Sequence, residues 1–539
     1  MPSPSMSPAS RAVQRRTARS SGRHVGTRWT SPLPVPPSDP EKSLYSRRGI
    51  RGLLRISIVS FSLLTISQIR FVQTVPTLLV FIPFIIFTVA YYVISLCVNA
   101  GTRDFDMVRH RRRVRLRCEQ GSFPSLDVLL PVCGEPLEVL QNTWHHVSAL
   151  AQNYAGPISV YVLDDGADHG LAEIAHDYGF YWASRPNRGW FKKAGNLHYG
   201  LSISDGEFVL ILDADFAPRE DLPAELLPYF DDPRIGIVQS PQYFRTHEKM
   251  SWIERGAGAV QELFYRVVQV SRDQRDGAIC VGSCAIYRRA ALNENGGTTL
   301  IGHSEDVHTG FDLYRLGWRL RYIPVPLATG LCPADPDSFL TQQYRWCSGS
   351  MSLLGSRKFW STKMPLRTRC CYISGFCYYV HTAIFTFLAP IIPLTLLTLM
   401  PERVRLVNYL FIAPSILYNL VIFPAWHRCR FRTSAYVAKL LYGWAHVFAL
   451  LDIVRKKQVG WQPTGGASKK SKTRRIWLGI VLWNGATSIA WVGLALTRVP
   501  MIGLKNVAVM LLLGSFALLT TCMALGSKWN YLRVARSSE

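Results

Sequence analysis

The sequence is poor in acidic residues. It has 36 Asp and Glu against 61 Lys and Arg in 539 residues, a formal net charge of +25. Such an excess indicates an anionic partner, and nucleic acid and phospholipid head groups both qualify. Basic blocks lie in residues 1–50, 109–117 and 469–475, each beside an apolar segment. This placement is typical of the cytosolic flanks of membrane helices, and it favours a lipid bilayer over nucleic acid as the partner.

The sequence also lacks any Cys-x-x-Cys pair among its 12 cysteines. No spacing typical of a zinc site is therefore present. Several cysteines lie in apolar or strand-like runs, which indicates reduced thiols that pack as small hydrophobic side chains.

Charge is missing from several long segments. Hydrophobic residues make up 48% of the chain, yet the mean hydropathy is only +0.09, which predicts a soluble domain joined to several membrane helices. About 20 apolar residues cross a bilayer. On this basis six crossings are predicted, at residues 53–69, 71–102, 370–401, 406–427, 476–497 and 506–527. The segment 433–454 has an uncharged core of only 12 residues and is predicted to lie in the membrane interface.

These segments divide the chain into seven parts. We expect a disordered basic cytosolic tail (1–50), two membrane helices (51–102), a cytosolic α/β domain with an interface helix at 336–356 (103–365), two membrane helices (366–432), a second interface helix and a connecting segment (433–475), two membrane helices (476–527) and a cytosolic tail (528–539). Both termini and the α/β domain then lie on the cytosolic side.

The soluble part shows an alternation of strands and helices. Short β-rich runs at 126–130, 158–163, 208–212 and 235–239 are separated by helical stretches. This pattern predicts a mostly parallel sheet with crossover helices.

Two of these predicted strands end in acids. Asp164 and Asp165 follow one strand, and Asp213 and Asp215 follow another. Ligands of open α/β sheets bind beyond the carboxyl ends of the strands, and residues i and i+2 of an extended segment point the same way. Asp213 and Asp215 could therefore hold Mg²⁺ or Mn²⁺ against a diphosphate. The alternative is that these acids are ordinary turn residues or helix caps.

Two further segments carry candidate residues. Ser304, Glu305 and Asp306 precede a helical stretch, with Ser304 as the expected N-cap. Asp335-Pro336 predicts the start of another helix, on which Gln342, Arg345 and Trp346 share one face. An amide, a guanidinium and an indole together suit a diphosphate beside a sugar ring. The alternative is an amphipathic interface helix with an aromatic anchor.

Five motifs occur in order and are followed by membrane segments. They are Asp164-Asp165-Gly166, Lys193-Ala194-Gly195-Asn196, Asp213-Ala214-Asp215, Glu305-Asp306 and Gln342-x-x-Arg345-Trp346. Each is common alone, but the ordered set is specific. On these motifs, residues 127–354 closely resemble the processive family 2 glycosyltransferases, in their cellulose synthase-like branch.

The resemblance implies a GT-A-type α/β catalytic domain with a mostly parallel sheet, joined to a multi-span α-helical region in the plasma membrane. It implies an inverting, UDP-sugar-dependent hexosyltransferase that extends a polysaccharide acceptor. The implied roles are donor binding (Glu135, Asp164, Asp165, Lys193, Asp213, Gln342, Arg345), metal binding with Mg²⁺ or Mn²⁺ (Asp213, Asp215), general base (Asp306) and acceptor binding (Gly282, Ser283, Glu305, Trp346).

The resemblance is weaker in one place and leaves the product open. A gating-loop-like segment is represented only by Trp461 and Thr464 within Trp461-Gln462-Pro463-Thr464-Gly465. A β-glucan made from UDP-glucose is the leading interpretation, since Glu305-Asp306 is not followed by Arg. An N-acetylhexosamine polymer of the chitin or hyaluronan type and a non-catalytic membrane scaffold are the alternatives. Partner subunits and the linkage of the polymer are not predicted.

Overall fold

The computed structural model describes residues 32–74, 76–456 and 473–537. Its strands are β1 (Leu126–Val132), β2 (Ile158–Asp164), β3 (Tyr181–Ala183), β4 (Phe208–Ile211), β5 (Phe216–Pro218), β6 (Ile235–Gln239), β7 (Gln242–Tyr243), β8 (Ala285–Arg288), β9 (Arg319–Tyr322) and β10 (Ala328–Gly330). Its α-helices are α1 (Ile50–Thr74), α2 (Ile82–Asn99), α3 (Met107–Gln120), α4 (Leu137–Asn153), α5 (His169–Asp177), α6 (Lys192–Ser202), α7 (Leu222–Leu226), α8 (Trp252–Leu263), α9 (Gln269–Asp273), α10 (Arg289–Glu294), α11 (Glu305–Arg315), α12 (Pro336–Leu354), α13 (Arg357–Ser361), α14 (Leu366–Leu388), α15 (Ile391–Leu399), α16 (Ala413–Leu417), α17 (Phe423–Trp426), α18 (Thr433–Val454), α19 (Arg474–Gly479), α20 (Ala486–Ile502) and α21 (Leu504–Ser537).

The soluble domain is built on a seven-stranded sheet. Its strand order is β3-β2-β1-β4-β8-β6-β9, and β8 runs antiparallel to both of its neighbours while the other pairs are parallel. A second sheet has the order β5-β10-β7. The four strands predicted from the sequence are all present, and the mostly parallel sheet is confirmed.

Both faces of the large sheet are covered. Along β1, Val128 and Leu130 pack in one apolar cluster, whereas Leu129 packs in another on the opposite face. Successive side chains of a strand point to opposite faces, so an unbroken apolar run is what a strand buried on both sides requires. The sheet, packed on both faces, is rigid, and it therefore fixes the positions of the loops that follow β1, β2 and β4.

The segment just before α1 departs from the predicted disordered tail. Residues 32–49 lie on the α/β domain instead. Arg219 donates to the Pro37 carbonyl and to Asp39, and Arg245 donates to Glu41 and to the Val35 and Pro36 carbonyls. The prediction was wrong for these residues because it used only local composition. Their hydrogen-bond partners lie about two hundred positions away in sequence. The rest of the predicted tail lies outside the described residues.

Among the described residues, six helical stretches are long and apolar enough to cross a membrane. They are Ile50–Gln73, Leu78–Asn99, Leu366–Leu399, Thr433–Val454, Arg474–Ile502 and Leu504–Lys528. Five of them coincide with predicted crossings. The second begins later than predicted, because residues 71–74 still belong to α1.

The predicted crossing at 406–427 is broken into short pieces. A 3₁₀ segment (Leu406–Phe411) is followed by α16, a π-helical turn (Tyr418–Ile422) and α17. The apolar helical part, Ala413–Trp426, is 14 residues long. At 1.5 Å per residue this part spans about 21 Å, and the preceding 3₁₀ segment adds about 12 Å at about 2.0 Å per residue. The whole stretch is therefore long enough for the roughly 30 Å hydrocarbon core, and it is retained as a crossing built from short helical pieces.

Helix α18 has the bounds of the segment that was predicted as an interface helix, 433–454. It is continuous over 22 residues, and Lys439 does not interrupt its apolar surface. The Lys439 Nζ lies 4.9–5.5 Å from the ring centres of Phe423, Phe431 and Tyr436, which shield the charge. Helix α18 also packs against α8 and α12 of the catalytic domain as well as α14. This packing against soluble elements favours a position at the membrane boundary.

The orientation of the chain is testable with reporters. A reporter inserted after Arg117, which follows two crossings and a basic block, is expected to be cytosolic. One inserted near Arg403, in the short connection after α15, is expected to be external. Glycosylation or alkaline phosphatase mapping would measure both. An external signal after Arg117 or a cytosolic one near Arg403 would contradict the proposed orientation.

Candidate active site

The loop after β4 carries two acids on one side. Asp213 and Asp215 both line the main cavity of the molecule, and each contributes to the electrostatic environment there. The backbone amide of Asp213 donates to the buried Ser283 Oγ at 2.9 Å. Burial raises the pKa of Asp215 to about 7, and the charges of Asp213 and Glu135 add to this effect. Both acids thus lie at the cavity, but a turn rather than the predicted extended segment brings them there, because the Phe216 amide donates to the Asp213 carbonyl at 3.2 Å.

Lys193, near the start of α6, neutralises part of this acidic cluster. Its Nζ lies 2.5 Å from Asp213, 3.7 Å from Glu305 and 2.9 Å from the Gly282 carbonyl. Burial alone would lower the pKa of Lys193, but the charges of Asp213 and Glu305 outweigh it and raise that pKa. Lys193 therefore remains charged and holds the β4 loop, the Gly282 segment and α11 together.

The side chains predicted for nucleoside binding have protein partners. The buried Asp164 accepts hydrogen bonds from the Gly166 and Asp168 amides at 2.7 and 2.8 Å, and it does not line the cavity. Asp165 does line the cavity, but both of its oxygens are 2.6 Å from Arg185 nitrogens. The structure thus gives Asp164 a role in shaping the turn after β2, which differs from the predicted donor contact.

Arg185 is a residue that sequence reasoning missed. It is buried, and it donates also to the Trp190 and Lys192 carbonyls. The loop before Lys193 is thereby tied to the β2 end, although Phe191 and Lys192 have the left-handed φ values of 46° and 54°. Nothing in the local sequence separates Arg185 from an ordinary surface arginine, because its partners come from two different loops.

Asp306 begins α11 beneath the cavity. Its Oδ1 accepts from the Val307 amide at 2.8 Å. Burial raises the pKa of Asp306 to about 7, the Glu305 charge raises it further, and Lys193 opposes the shift. A carboxyl with this pKa exchanges a proton near neutral pH, which is the property a general base needs.

Ser304 does not cap α11 as predicted. It adopts a left-handed conformation with φ 54° and makes no capping hydrogen bond. The reason is a tight contact with α12: a Cβ built on Gly349 would lie 1.8 Å from Ser304 Oγ. The backbone just before Asp306 is therefore set by helix packing and holds strain at the candidate site.

Gly282 also presses against Asp306. Its φ is +72°, and a Cβ there would lie 2.8 Å from the Asp306 Cβ. Its neighbour Ser283 is fully buried beneath the β4 loop. Gly282 thus packs against Asp306, and Ser283 accepts a hydrogen bond from the Asp213 amide. The resemblance instead implies that both residues contact the acceptor directly.

Helix α12 brings the third group of predicted residues to the cavity. Gln342, Arg345 and Trp346 all line it, and the expected N-cap is confirmed because Asp335 accepts from the Asp337 and Ser338 amides. Burial lowers the pKa of Arg345, while the charges of Glu305 and Asp213 oppose this shift. The guanidinium therefore lies beside the acidic cluster.

The start of α12 is anchored to the membrane helices. Asp337 accepts from Thr473 Oγ1 at 2.7 Å and from Trp477 Nε1 at 2.6 Å, and it also pairs with Lys528. Tyr344 donates to Asp452 of α18 at 2.7 Å. These links connect the catalytic domain directly to the last two membrane helices. Trp461 and Thr464 lie outside the described residues.

The remaining predicted donor residue is Glu135. Its Oε2 accepts from the Cys133 amide at 2.6 Å, and the side chain lines the cavity. Burial raises the pKa of Glu135 to about 7, with Asp213 and Asp164 adding to the shift. The cavity also exposes His303 beside Glu305 and Arg345, a residue that the sequence did not single out.

The carboxylates suit a divalent cation whose remaining ligands are phosphate oxygens of the bound donor. Among the described residues no group of three His, Cys, Asp or Glu side chains could hold a metal ion by itself. Asp213 and Asp215 supply two carboxylates, and burial together with the charges of Asp213 and Glu135 raises the pKa of Asp215, so a bound cation would stabilise its ionised form. Oxygen ligands of this kind suit Mg²⁺ or Mn²⁺.

The cavity is large and extends between two chemically different regions. Its volume is about 1520 Å³. At one end it is lined by Glu135, Asp213, Asp215, Glu305 and Asp306. Towards the membrane helices it is lined by Tyr91, Tyr92, Tyr378, Tyr418 and Tyr442. A single space thus joins the acidic cluster to an aromatic, hydroxyl-rich region.

The contact between Ser304 and Gly349 is expected to control the position of Asp306. Gly349→Ala should lower the rate of product formation by about tenfold, because the added methyl group pushes Ser304 and the adjoining Asp306 out of place. The measurement is the initial rate at saturating donor, with the melting temperature as a check on folding. Adding Ser304→Gly removes the opposing side chain and should restore the rate. If the single variant is fully active, helix packing does not position Asp306.

Comparisons with known proteins agree with this site. The family model described as Glycosyl transferase family group 2 matches residues 208–425. The chain is 31% identical over 277 residues to the UDP-forming cellulose synthase catalytic subunit of Xanthomonas axonopodis pv. citri (strain 306), covering 50% of this chain and 38% of that one. It is 33% identical over 243 residues to that of Pseudomonas fluorescens (strain SBW25), covering 44% and 33%. The chain thus spans about a third of the length of these relatives.

Solved structures show a more distant likeness. A mannosyltransferase from Pyrobaculum calidifontis, in complex with GDP-Man and Mn²⁺, has a TM-score of 0.46 at 16% identity, over 68% of this chain and all of that one. Glucosyl-3-phosphoglycerate synthase from Mycobacterium tuberculosis has a TM-score of 0.32 at 16% identity, over 43% and 80%. The family match covers the β4 loop, α11 and α12. Residues 208–425 thus match a family group 2 glycosyltransferase domain, and about half of the chain is similar to UDP-forming cellulose synthase catalytic subunits.

Proposed function

We propose that this protein is a processive, inverting glycosyltransferase of the plasma membrane that polymerises a β-linked glucan from UDP-glucose and passes the chain through its own membrane helices. The observation that carries the proposal is the single cavity that joins the carboxylate cluster to the tyrosine-lined region. The UDP-forming cellulose synthase subunits among its relatives support the choice of donor. The catalytic domain and both termini are proposed to be cytosolic.

The donor is proposed to lie across the β4 loop and α12. Lys193 and Arg345 are the cations nearest the acidic cluster and would face the diphosphate, with Gln342 beside them. Asp213 and Asp215 would hold Mg²⁺ or Mn²⁺, which when bound offsets the negative charge of the departing UDP. Fixed positive charge directed at a leaving group is the arrangement that stabilises such a transition state.

The acceptor is proposed to approach from the opposite side of the cavity. Trp346 would stack on the terminal sugar of the acceptor and orient its hydroxyl group towards the donor. Asp306 takes the proton of that hydroxyl as its oxygen bonds to the anomeric carbon and the bond to UDP breaks. One displacement inverts an α-linked donor, so the new linkage is β.

Incorporation from labelled UDP-sugars tests the proposal. The full chain, purified and reconstituted in liposomes, should convert UDP-glucose into a polymer that a β-glucanase degrades. Linkage analysis of the product would then identify the glycosidic bond. Incorporation from UDP-N-acetylglucosamine alone would indicate an N-acetylhexosamine polymer. Absence of both incorporation and UDP release with every donor would mean that the protein is a scaffold and would overturn the proposal.

A further inference from the structure

The junction between the catalytic domain and the membrane helices contains several buried arginines, and one of them differs from the rest. Arg48 donates to the Thr102 and Asn99 carbonyls and to Ser271. Arg266 pairs with Glu262 and donates to the Trp426 carbonyl. Arg272, on α9, is 3% exposed, its Nε has no hydrogen-bond partner, and unlike Arg48 and Arg266 its guanidinium makes no hydrogen bond or ion pair with any residue in the described ranges.

Apolar and aromatic groups surround Arg272. Cys371, Tyr372, Tyr379 and Tyr91 interact with it electrostatically, and no carboxylate of the described residues forms an ion pair with it. A Cβ built on Gly375 would lie 2.6 Å from Arg272 Nη2, so the guanidinium packs directly against the backbone of α14. A buried charge without a partner is unfavourable, and it persists where a ligand supplies the missing partner.

The position of Arg272 relates it to the acceptor. It lines the same cavity as Asp306 and Trp346. Tyr379 of α14 lines this cavity as well, and Arg272 packs against Gly375 of the same candidate membrane helix, so Arg272 lies on the side of the cavity that faces the membrane helices. Helix α9 is also fixed, because Gln269 exchanges hydrogen bonds of 2.6 and 3.0 Å with Ile279 of the cavity wall.

We propose that Arg272 is an acceptor-binding residue, whose guanidinium donates hydrogen bonds to hydroxyl oxygens of a sugar unit that has already passed Trp346. The inference rests on the proposed function. It adds a binding position at the entrance to the membrane helices. There the rings of the neighbouring tyrosines would stack on a sugar unit, and the planar guanidinium would donate two hydrogen bonds to its hydroxyl oxygens. The acceptor is then held at two places, at its reacting end by Trp346 and further along by Arg272.

The test uses acceptors of different length. Binding of a β-linked glucose disaccharide and hexasaccharide to the full-length protein in nanodiscs would be measured by titration calorimetry. Arg272→Met should weaken hexasaccharide binding by about tenfold, the scale of a charged hydrogen bond, and leave disaccharide binding unchanged. Gly375→Ala, which displaces the guanidinium without removing it, should change hexasaccharide binding in the same direction. UDP-sugar binding should be normal in both variants.

Stability separates this role from a structural one. Arg272→Met should keep or raise the melting temperature, because it removes an uncompensated buried charge. The control is Arg275→Met, since Arg275 donates to the Thr102 hydroxyl and the Ala100 carbonyl. It should lower the melting temperature and leave hexasaccharide affinity unchanged.

Three results would overturn the inference. Equal loss of both oligosaccharides in Arg272→Met, or no loss, would exclude an acceptor position while the proposed function stands. A hexasaccharide affinity that depends on anionic lipid only when Arg272 is present would mean that the guanidinium binds a lipid phosphate. Failure of the wild-type protein to bind any glucan oligosaccharide would refute the proposed function itself.

Discussion

Asp306→Asn is expected to reduce sugar transfer by about 10²-fold or more while UDP-sugar binding survives. Asparagine keeps the size and hydrogen-bonding ability of the side chain but cannot accept the proton of the acceptor hydroxyl. Asp306 is suited to this step because burial and the neighbouring Glu305 raise its pKa to about 7. Polymer formation and donor affinity would be measured separately, by labelled incorporation and by calorimetry.

A matched control lies on the same helix. Asp312 of α11 pairs with Lys358 at 2.9 Å, and Asp312→Asn should leave transfer near normal. The wild-type rate should also rise with pH through about 7, because a carboxyl with a raised pKa is protonated, and inactive as a base, below that value. Near-normal transfer by Asp306→Asn would place the base elsewhere. Loss of donor binding would make Asp306 a structural or nucleotide-binding residue.

Removing divalent metal is expected to abolish polymer formation completely. The diphosphate would then meet Asp213, Asp215 and Glu135 without a cation to offset their combined charge. Treatment with EDTA followed by added Mg²⁺ or Mn²⁺ should eliminate and then restore incorporation. EDTA already saturated with Mg²⁺ is the control, since it matches the chelator without removing metal.

A second measurement checks the metal site without activity. Binding of Mn²⁺ in the presence of UDP, followed by electron paramagnetic resonance, should be lost in Asp215→Asn. The control Asp232→Asn changes an acid that pairs with Arg234 on the surface, and it should bind Mn²⁺ normally. Full polymer formation in excess EDTA would show that Asp213 and Asp215 do not act through a metal.

Sequence reasoning succeeded where the signal is local. The β1, β2, β4 and β6 strands were predicted because each is a short apolar run, and a strand buried on both faces needs nothing more. Asp213 and Asp215 were also placed correctly at the cavity, although the segment between them turns instead of continuing as the predicted extended strand. The N-cap at Asp335 depends only on the next three residues, and it was predicted correctly.

Sequence reasoning failed where distant segments meet. Ser304 has a cap-like position in the sequence, but its contact with Gly349 gives it a left-handed backbone instead. The segment at 32–49 has the composition of a disordered tail, but Arg219 and Arg245 hold it on the catalytic domain. In both cases the contact joins residues far apart in the chain.

Residue types and short spacings alone predict the groups of the candidate site: the strand-end carboxylates, the acid pair in the first turn of α11, and the Gln342, Arg345 and Trp346 face. These depend on residue type and short spacing. Only the tertiary structure decided how they are arranged. It placed Lys193 between Asp213 and Glu305, engaged Asp165 with Arg185, and left Arg272 buried without a protein partner in the described ranges. The physical reason is that burial and charge pairing depend on which elements pack together, and that packing brings together residues tens to hundreds of positions apart.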